Sequence, residues 1–135
     1  VCIGMLLVSC GSKRLDNPKA QFIRDFGLNI EKKDCVLEEL FNNYEGVPYE
    51  GIALYKLTIG EDVRQAFLQW ERIPFSKEAE HFLESLSTYV ELPSIADGYW
   101  KMVDRNPGTS AYTNVSLCVY DEATGIEYLL IMDKL

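Results

Sequence analysis

Residues 113–134 read TNVSLCVYDEATGIEYLLIMDK, and they carry the strongest local pattern in the chain. Val115, Leu117 and Val119 alternate with Ser116, Cys118 and Tyr120, the two-residue period of a strand. Ile126, Tyr128, Leu130 and Met132 share one face of a second run. Between them DEATG, 121–125, has turn chemistry, with Gly125 suited to a positive-φ position. The stretch predicts a β-hairpin.

Three further strands are expected upstream. GYWKMVD predicts one over 98–104, with Tyr99, Lys101 and Val103 alternating with Trp100, Met102 and Asp104. YEGIALYKLTI predicts another near 51–59. Ala53, Tyr55, Leu57 and Ile59 form one face there; Ile52, Leu54, Lys56 and Thr58 form the other, which is also mostly apolar. Such a strand is central and covered on both sides. CVLEELFNN gives a weaker strand near 34–42.

Helices are expected in three places. Asn17-Pro18 has the cap-then-proline signature, and Phe22, Ile23 and Phe26 follow at helical spacing up to Gly27 or Asn29. Thr58 and Glu61 match a capping box, and Val63, Ala66, Phe67 and Trp70 continue it as a helix over 61–70. Pro74 ends that run by forcing Ile73 out of the helical region. Ser76 can cap a second helix with the buried stripe Ala79, Phe82, Leu83 and Leu86, ending near Ser87.

The order is helix, two strands, two helices, three strands. It predicts an α+β fold: a mostly antiparallel sheet of about five strands, two to three short helices packed on one face, and a C-terminal β-hairpin. The chain has 135 residues, and 18–135 suits a single domain. Its formal net charge is -8. An acidic surface argues against a nucleic-acid partner, whose binding rests on neutralising phosphates. It also argues against electrostatic adhesion to anionic lipid.

The chain opens VCIGMLLVSC. Val1–Val8 is too short to span a bilayer and has no polar face, but fits the end of a secretory apolar region. Leu7, Val8, Ser9 and Cys10 resemble the lipobox of bacterial lipoprotein precursors. That resemblance implies cleavage before Cys10 and diacylation of its thiol. Residues 1–9 are then a signal-peptide remnant and 10–17 a tether. The implied place is the outer face of the cell membrane, held by a lipid anchor on Cys10. The C-terminal half also resembles small lipoproteins of Firmicutes that have no established activity. The shared pattern is Gly98, Tyr99, Trp100, Asp104, Arg105, Asn114, Tyr120, Asp121, Thr124, Tyr128 and Asp133, with Trp70 and Pro74 upstream.

Chemistry-bearing clusters are scarce. His81 is the single histidine and falls outside the apolar stripe of its helix, so it reads as a solvated residue. Triads and zinc sites need more than one such group. No phosphate-loop motif occurs, and no metal or cofactor is expected. Glu38 and Glu39 point to opposite faces of a strand, and Glu80 and Glu84 lie one helical turn apart; solvated faces explain both pairs. If Cys2 leaves with the leader and Cys10 carries lipid, Cys35 and Cys118 remain as a possible disulfide of an exported protein. Tyr99, Trp100, Asp104 and Arg105 are core if buried and an interaction surface if exposed.

These readings favour a non-enzymatic cell-envelope lipoprotein, a binding or accessory module with a possible protein partner. The alternative is an immunity- or inhibitor-type protein whose acidic face, rimmed by aromatics, blocks a basic partner. A carboxylate-based envelope hydrolase ranks third, since it needs two carboxylates of opposed pKa across a cleft.

Overall fold

The computed structural model describes residues 17–31, 34–45, 50–108 and 113–134. The lipobox-like Leu7–Cys10, the remnant 1–9 and tether residues 10–16 lie outside the described residues. The elements are α1 (Pro18–Phe26), β1 (Val36–Asn42), β2 (Gly51–Thr58), α2 (Glu61–Phe67), β3 (Glu71–Arg72), α3 (Lys77–Ser85), β4 (Gly98–Asp104), β5 (Asn114–Asp121) and β6 (Ile126–Asp133). The strands form one sheet in the order β1-β2-β6-β5-β4-β3, with every neighbouring pair antiparallel. The sixth strand, β3, is only two residues long and lies at an edge.

Local signals set the element ends. The Asn17 side chain accepts a hydrogen bond from the Ala20 N–H at 3.1 Å. At the other end of α1, Gly27 takes φ 71° and its N–H donates to the Ile23 carbonyl at 2.9 Å. Ser76 caps α3 by accepting from the Ala79 N–H at 3.2 Å. Helix α2 corrects the sequence reading. Its cap residue is Gly60, with no side-chain hydrogen bond, and it ends at Phe67. Thr58 cannot cap because it is committed to the sheet between Val36 and Ile126. Gly60 is fixed by close approach: a Cβ there would lie 1.9 Å from the Asp34 carboxylate.

The helices cover both faces of the sheet, where one face was expected. Ala53, Tyr55, Leu57, Cys118, Tyr120, Leu129 and Ile131 lie under Phe22 and Phe26 of α1 and Val63 and Phe67 of α2. Ile52, Leu54, Val115, Leu117, Val119, Leu130 and Met132 lie under Ala79, Phe82 and the following Leu86. The reason is in the central strands. β2, β5 and β6 bury side chains on alternate positions in both directions, so each face needs a cover. On the first face a run of ring contacts links Phe22, Phe26, Trp70, Phe67 and Tyr120, at centroid distances of 5.0, 5.5, 4.7 and 5.7 Å.

Candidate functional site

Tyr99 and Trp100, core or interaction surface by sequence, are each 8% exposed and sit on opposite faces, in the two separate cores. Their burial has a simple cause: β4 is covered on both sides at this end, so neither ring faces water. The Tyr99 hydroxyl accepts from Arg72 Nη1 at 2.7 Å, and the Arg72 guanidinium stacks 4.9 Å from the Tyr99 ring centroid. Trp100 packs against Phe75 and donates from Nε1 to the Arg72 carbonyl at 3.2 Å. The hydrogen bond from Arg72 to Asp97, with that carboxylate's charge, holds the guanidinium above its ordinary range. Asp104 accepts from the Asn106 N–H at 2.9 Å and shapes the turn after β4.

Arg105 holds the first core together at one end of the sheet. Its Nη1 is ion-paired with Asp133, and its Nη2 donates to the Val115 and Met132 carbonyls at 3.1 and 3.0 Å. Its Nε lies 3.5 Å from Asp25 of α1. Asp25 also accepts from the Ser116 hydroxyl and from Gln21. The second oxygen of Asp133 accepts from the Tyr44 hydroxyl at 2.8 Å. Tyr44 is fully buried, and that burial, with the Asp133 charge second, pushes its phenol well up. The network thus ties α1 and the end of β1 to β5 and β6. It is a clamp, and the Arg105 side chain is largely buried within it.

Cys35 and Cys118 are both buried and both free. Cys118 is level with Leu129, Tyr55 and Glu39 across four strands, whereas Cys35 precedes β1. The possible disulfide between them is not formed in the structure.

Glu127 is the residue that sequence reasoning missed. It lies on β6 between Leu57 and Tyr120, with 0% exposure. Neither carboxylate oxygen has a hydrogen-bond partner. Burial drives its pKa well above the ordinary carboxylate range, and the neighbouring Cys118 thiol, not placed to form a hydrogen bond, offsets this only in part. Burial, then the adjacent Glu127, raises the Cys118 thiol as well. The sequence signal was available: Glu127 falls on the same strand face as the apolar Leu129 and Ile131.

The concave part of the molecule lies on the second face, at the sheet end that holds Gly51 and Asp133. A cleft of about 510 Å³ opens there between α3 and the end of the β1–β2 hairpin. Its apolar lining includes Ile52, Leu86 and Met132, and its polar lining includes Glu45, Glu50, His81, Asp133 and Lys134. Glu45 and Glu50 form an isolated antiparallel bridge with hydrogen bonds in both directions, at 3.1 and 3.2 Å. Directly opposed residues project to the same side, so this bridge sets two carboxylates next to each other on the cleft wall. His81, Ser85 and Tyr89 recur every four residues along α3 and the turn after it, and all three line the cleft. His81 is exposed, as its sequence position suggested, yet it belongs to this wall. A second cavity of about 280 Å³ lies beside the first, lined by Phe75, Leu83, Val90, Leu92, Ile95 and Leu130 among others. Leu86 lines both.

No family model, curated protein or solved structure matches this chain. Among the described residues no group of three or more histidine, cysteine or acidic side chains is placed to hold a metal ion. Among them, too, no helix is long and apolar enough to cross a membrane. The cleft offers charge, an imidazole, a hydroxyl, an exposed ring and an apolar floor.

Proposed function

We propose that this chain is a non-enzymatic binding or accessory module of the cell envelope. It is tethered to the outer face of the membrane by acylated Cys10, and it binds a basic ligand or protein segment in the cleft beside α3. The observation that carries the reading is the Glu45–Glu50 bridge, which sets two carboxylates side by side on one wall. Asp133 adds little to the field because Arg105 neutralises it. Glu45 and Glu50 stand on the same lining as Lys134 and His81. A carboxylate-bearing wall favours a cationic ligand group over an anionic one. The anchor rests on the lipobox resemblance of Leu7–Cys10.

A second reading, an immunity- or inhibitor-type protein that caps a basic toxin or hydrolase, gains from Tyr89. Its ring is 58% exposed at the acidic cleft, where an aromatic can anchor a partner. Titration calorimetry at low salt tests the binding reading with two peptides of equal length, one lysine-rich and one glutamate-rich. The lysine peptide is expected to bind and to lose at least tenfold in affinity with the double variant E45Q/E50Q. Equal binding of both peptides, or no effect of the double variant, overturns it. The partner itself is sought by purifying the native protein from membranes and identifying what travels with it. Intact mass of that product tests the anchor: an unmodified Cys10 thiol refutes it.

A further inference from the structure

We propose that α2 is a hinged cover over Glu127 that swings open as the solution turns alkaline, so that the first core carries a pH-gated flap. Glu127 is fully buried, and neither of its oxygens has a hydrogen-bond partner. An acid in that setting stays enclosed only in its neutral form; the carboxylate needs water. The ladder register shows where water enters. Glu127 is level with Leu57, Tyr120 and Tyr99 across four strands, and Phe67 of α2 stacks on Tyr120 at a centroid distance of 5.7 Å. Helix α2 therefore lies over the Glu127 row. It is seven residues long, buries Val63 and Phe67, and starts at Gly60 with no side-chain cap hydrogen bond. Helix α1 is held differently, because Asp25 is bound to Ser116 and Arg105 at the far end of β5 from Tyr120. Of the two covers on this face, α2 is the more weakly seated.

The groups that the sheet sets around Glu127 are the Cys118 thiol and the phenols of Tyr55, Tyr99 and Tyr120, none of them cationic. Cations on the neighbouring elements are engaged elsewhere. Asp97 holds Arg72 beside the Tyr99 ring, and the Cys35 carbonyl accepts from Lys19 of α1. Gln21 accepts from Arg24, and Asp133 and Asp25 hold Arg105. The charged residues of α2, Glu61, Asp62 and Arg64, are exposed, as are Glu39 on β1 and Asp34 beside Gly60.

An opening that hydrates Glu127 lets it titrate near its ordinary value of about 4.3. Until the raised value of the closed state is reached, the open fraction grows about tenfold per pH unit. Native-state hydrogen exchange of the full chain reads this between pH 5.5 and 8, as protection factors with the intrinsic exchange rate divided out. Amides of 64–70 are expected to lose about tenfold in protection per pH unit, with a urea dependence well below that of global unfolding. Amides of β2, β5 and β6 are expected to stay more protected and to exchange only with the full urea dependence. In Glu127→Met, or Glu127→Gln if the first fails to fold, protection at 64–70 is expected to be flat with pH. If 64–70 and the central strands lose protection together, with the same urea dependence, the flap proposal falls and Glu127 acts only on the stability of the whole domain. Protection at 64–70 that does not change with pH also overturns it. So does a pH-dependent loss in both variants, or one confined to α1.

Discussion

Replacing Glu127 tests the energetic logic of the core most directly. The side chain has no exposed surface, and neither oxygen has a hydrogen-bond partner. Burial raises its pKa, so the folded protein holds a proton there that the unfolded chain has already released. An unfolded glutamate titrates near about 4.3. Above that pH, and until the raised folded value is reached, the native state binds one more proton than the unfolded state. Stability therefore falls as pH rises, by about 1.4 kcal/mol per pH unit from this group alone. At a urea m-value of about 2 kcal/mol/M, that slope is a midpoint shift of about 0.7 M per unit. Glu127→Met keeps the length of the side chain and removes both the proton and the two unpartnered oxygens. At neutral pH the variant is expected to be more stable, by about 1–3 kcal/mol from the oxygens plus the accumulated slope. The assay is urea unfolding of both proteins at several pH values between 5 and 9, read by tryptophan fluorescence and by far-ultraviolet circular dichroism. The difference between the proteins should widen with pH from 5 upward until the raised folded value of Glu127 is reached. Below about pH 8, where an unfolded thiol is still protonated, the other titrating groups are common to both and cancel. A difference that stays flat across the range, or a variant that is less stable at neutral pH, refutes the argument that Glu127 is a neutral acid in an apolar site.

Three other outcomes are expected. Arg105→Met leaves Asp25 and Asp133 without their shared cation and should cost about 3–5 kcal/mol in chemical denaturation. A loss below about 1 kcal/mol would show the clamp to be superficial. Gly98→Ala should destabilise by about 1–3 kcal/mol or more, since the added Cβ would lie 1.9 Å from the Tyr120 carbonyl oxygen; a thermal scan unchanged from the parent would contradict that geometry. Alkylation followed by peptide mapping should leave Cys35 and Cys118 unlabelled in the native protein and label both in denaturant without any reductant, because both are buried free thiols. Protection in denaturant that reductant lifts would mean the two are joined.

Much of the architecture was legible because the residues that set it act locally. Asn17, Pro18, Gly27 and Ser76 do their work within one turn, and the alternation in 114–133 needs no distant partner to be read. The misreadings occur where a residue has two possible roles and tertiary structure chooses. Thr58 fits a capping box, but the ladder with Val36 and Ile126 takes it. Ile52 and Leu54 signalled an apolar second face, but not which helix covers it; α3 does so, while α1 and α2 take the other side. β3 is two residues long, too short for any period to show. The cleft was hidden for a different reason. Its wall is assembled from Asn43, Glu45 and 50–52, from 81–89 and from 132–134, parts far apart in the chain, and each alone reads as ordinary surface.

The strand order also governs how the domain can be made. β6 follows the other five strands in sequence yet pairs with β2 on one side and β5 on the other. Until residues 126–133 have been made and released, the sheet exists only as two halves, a β1–β2 hairpin and a β3–β4–β5 piece. Each half exposes an apolar flank and an unpaired edge. The step that joins them bridges much of the sequence, so its closure entropy makes it slow relative to hairpin formation. A nascent chain of this kind stays open and threadable until β6 emerges and slides into the gap.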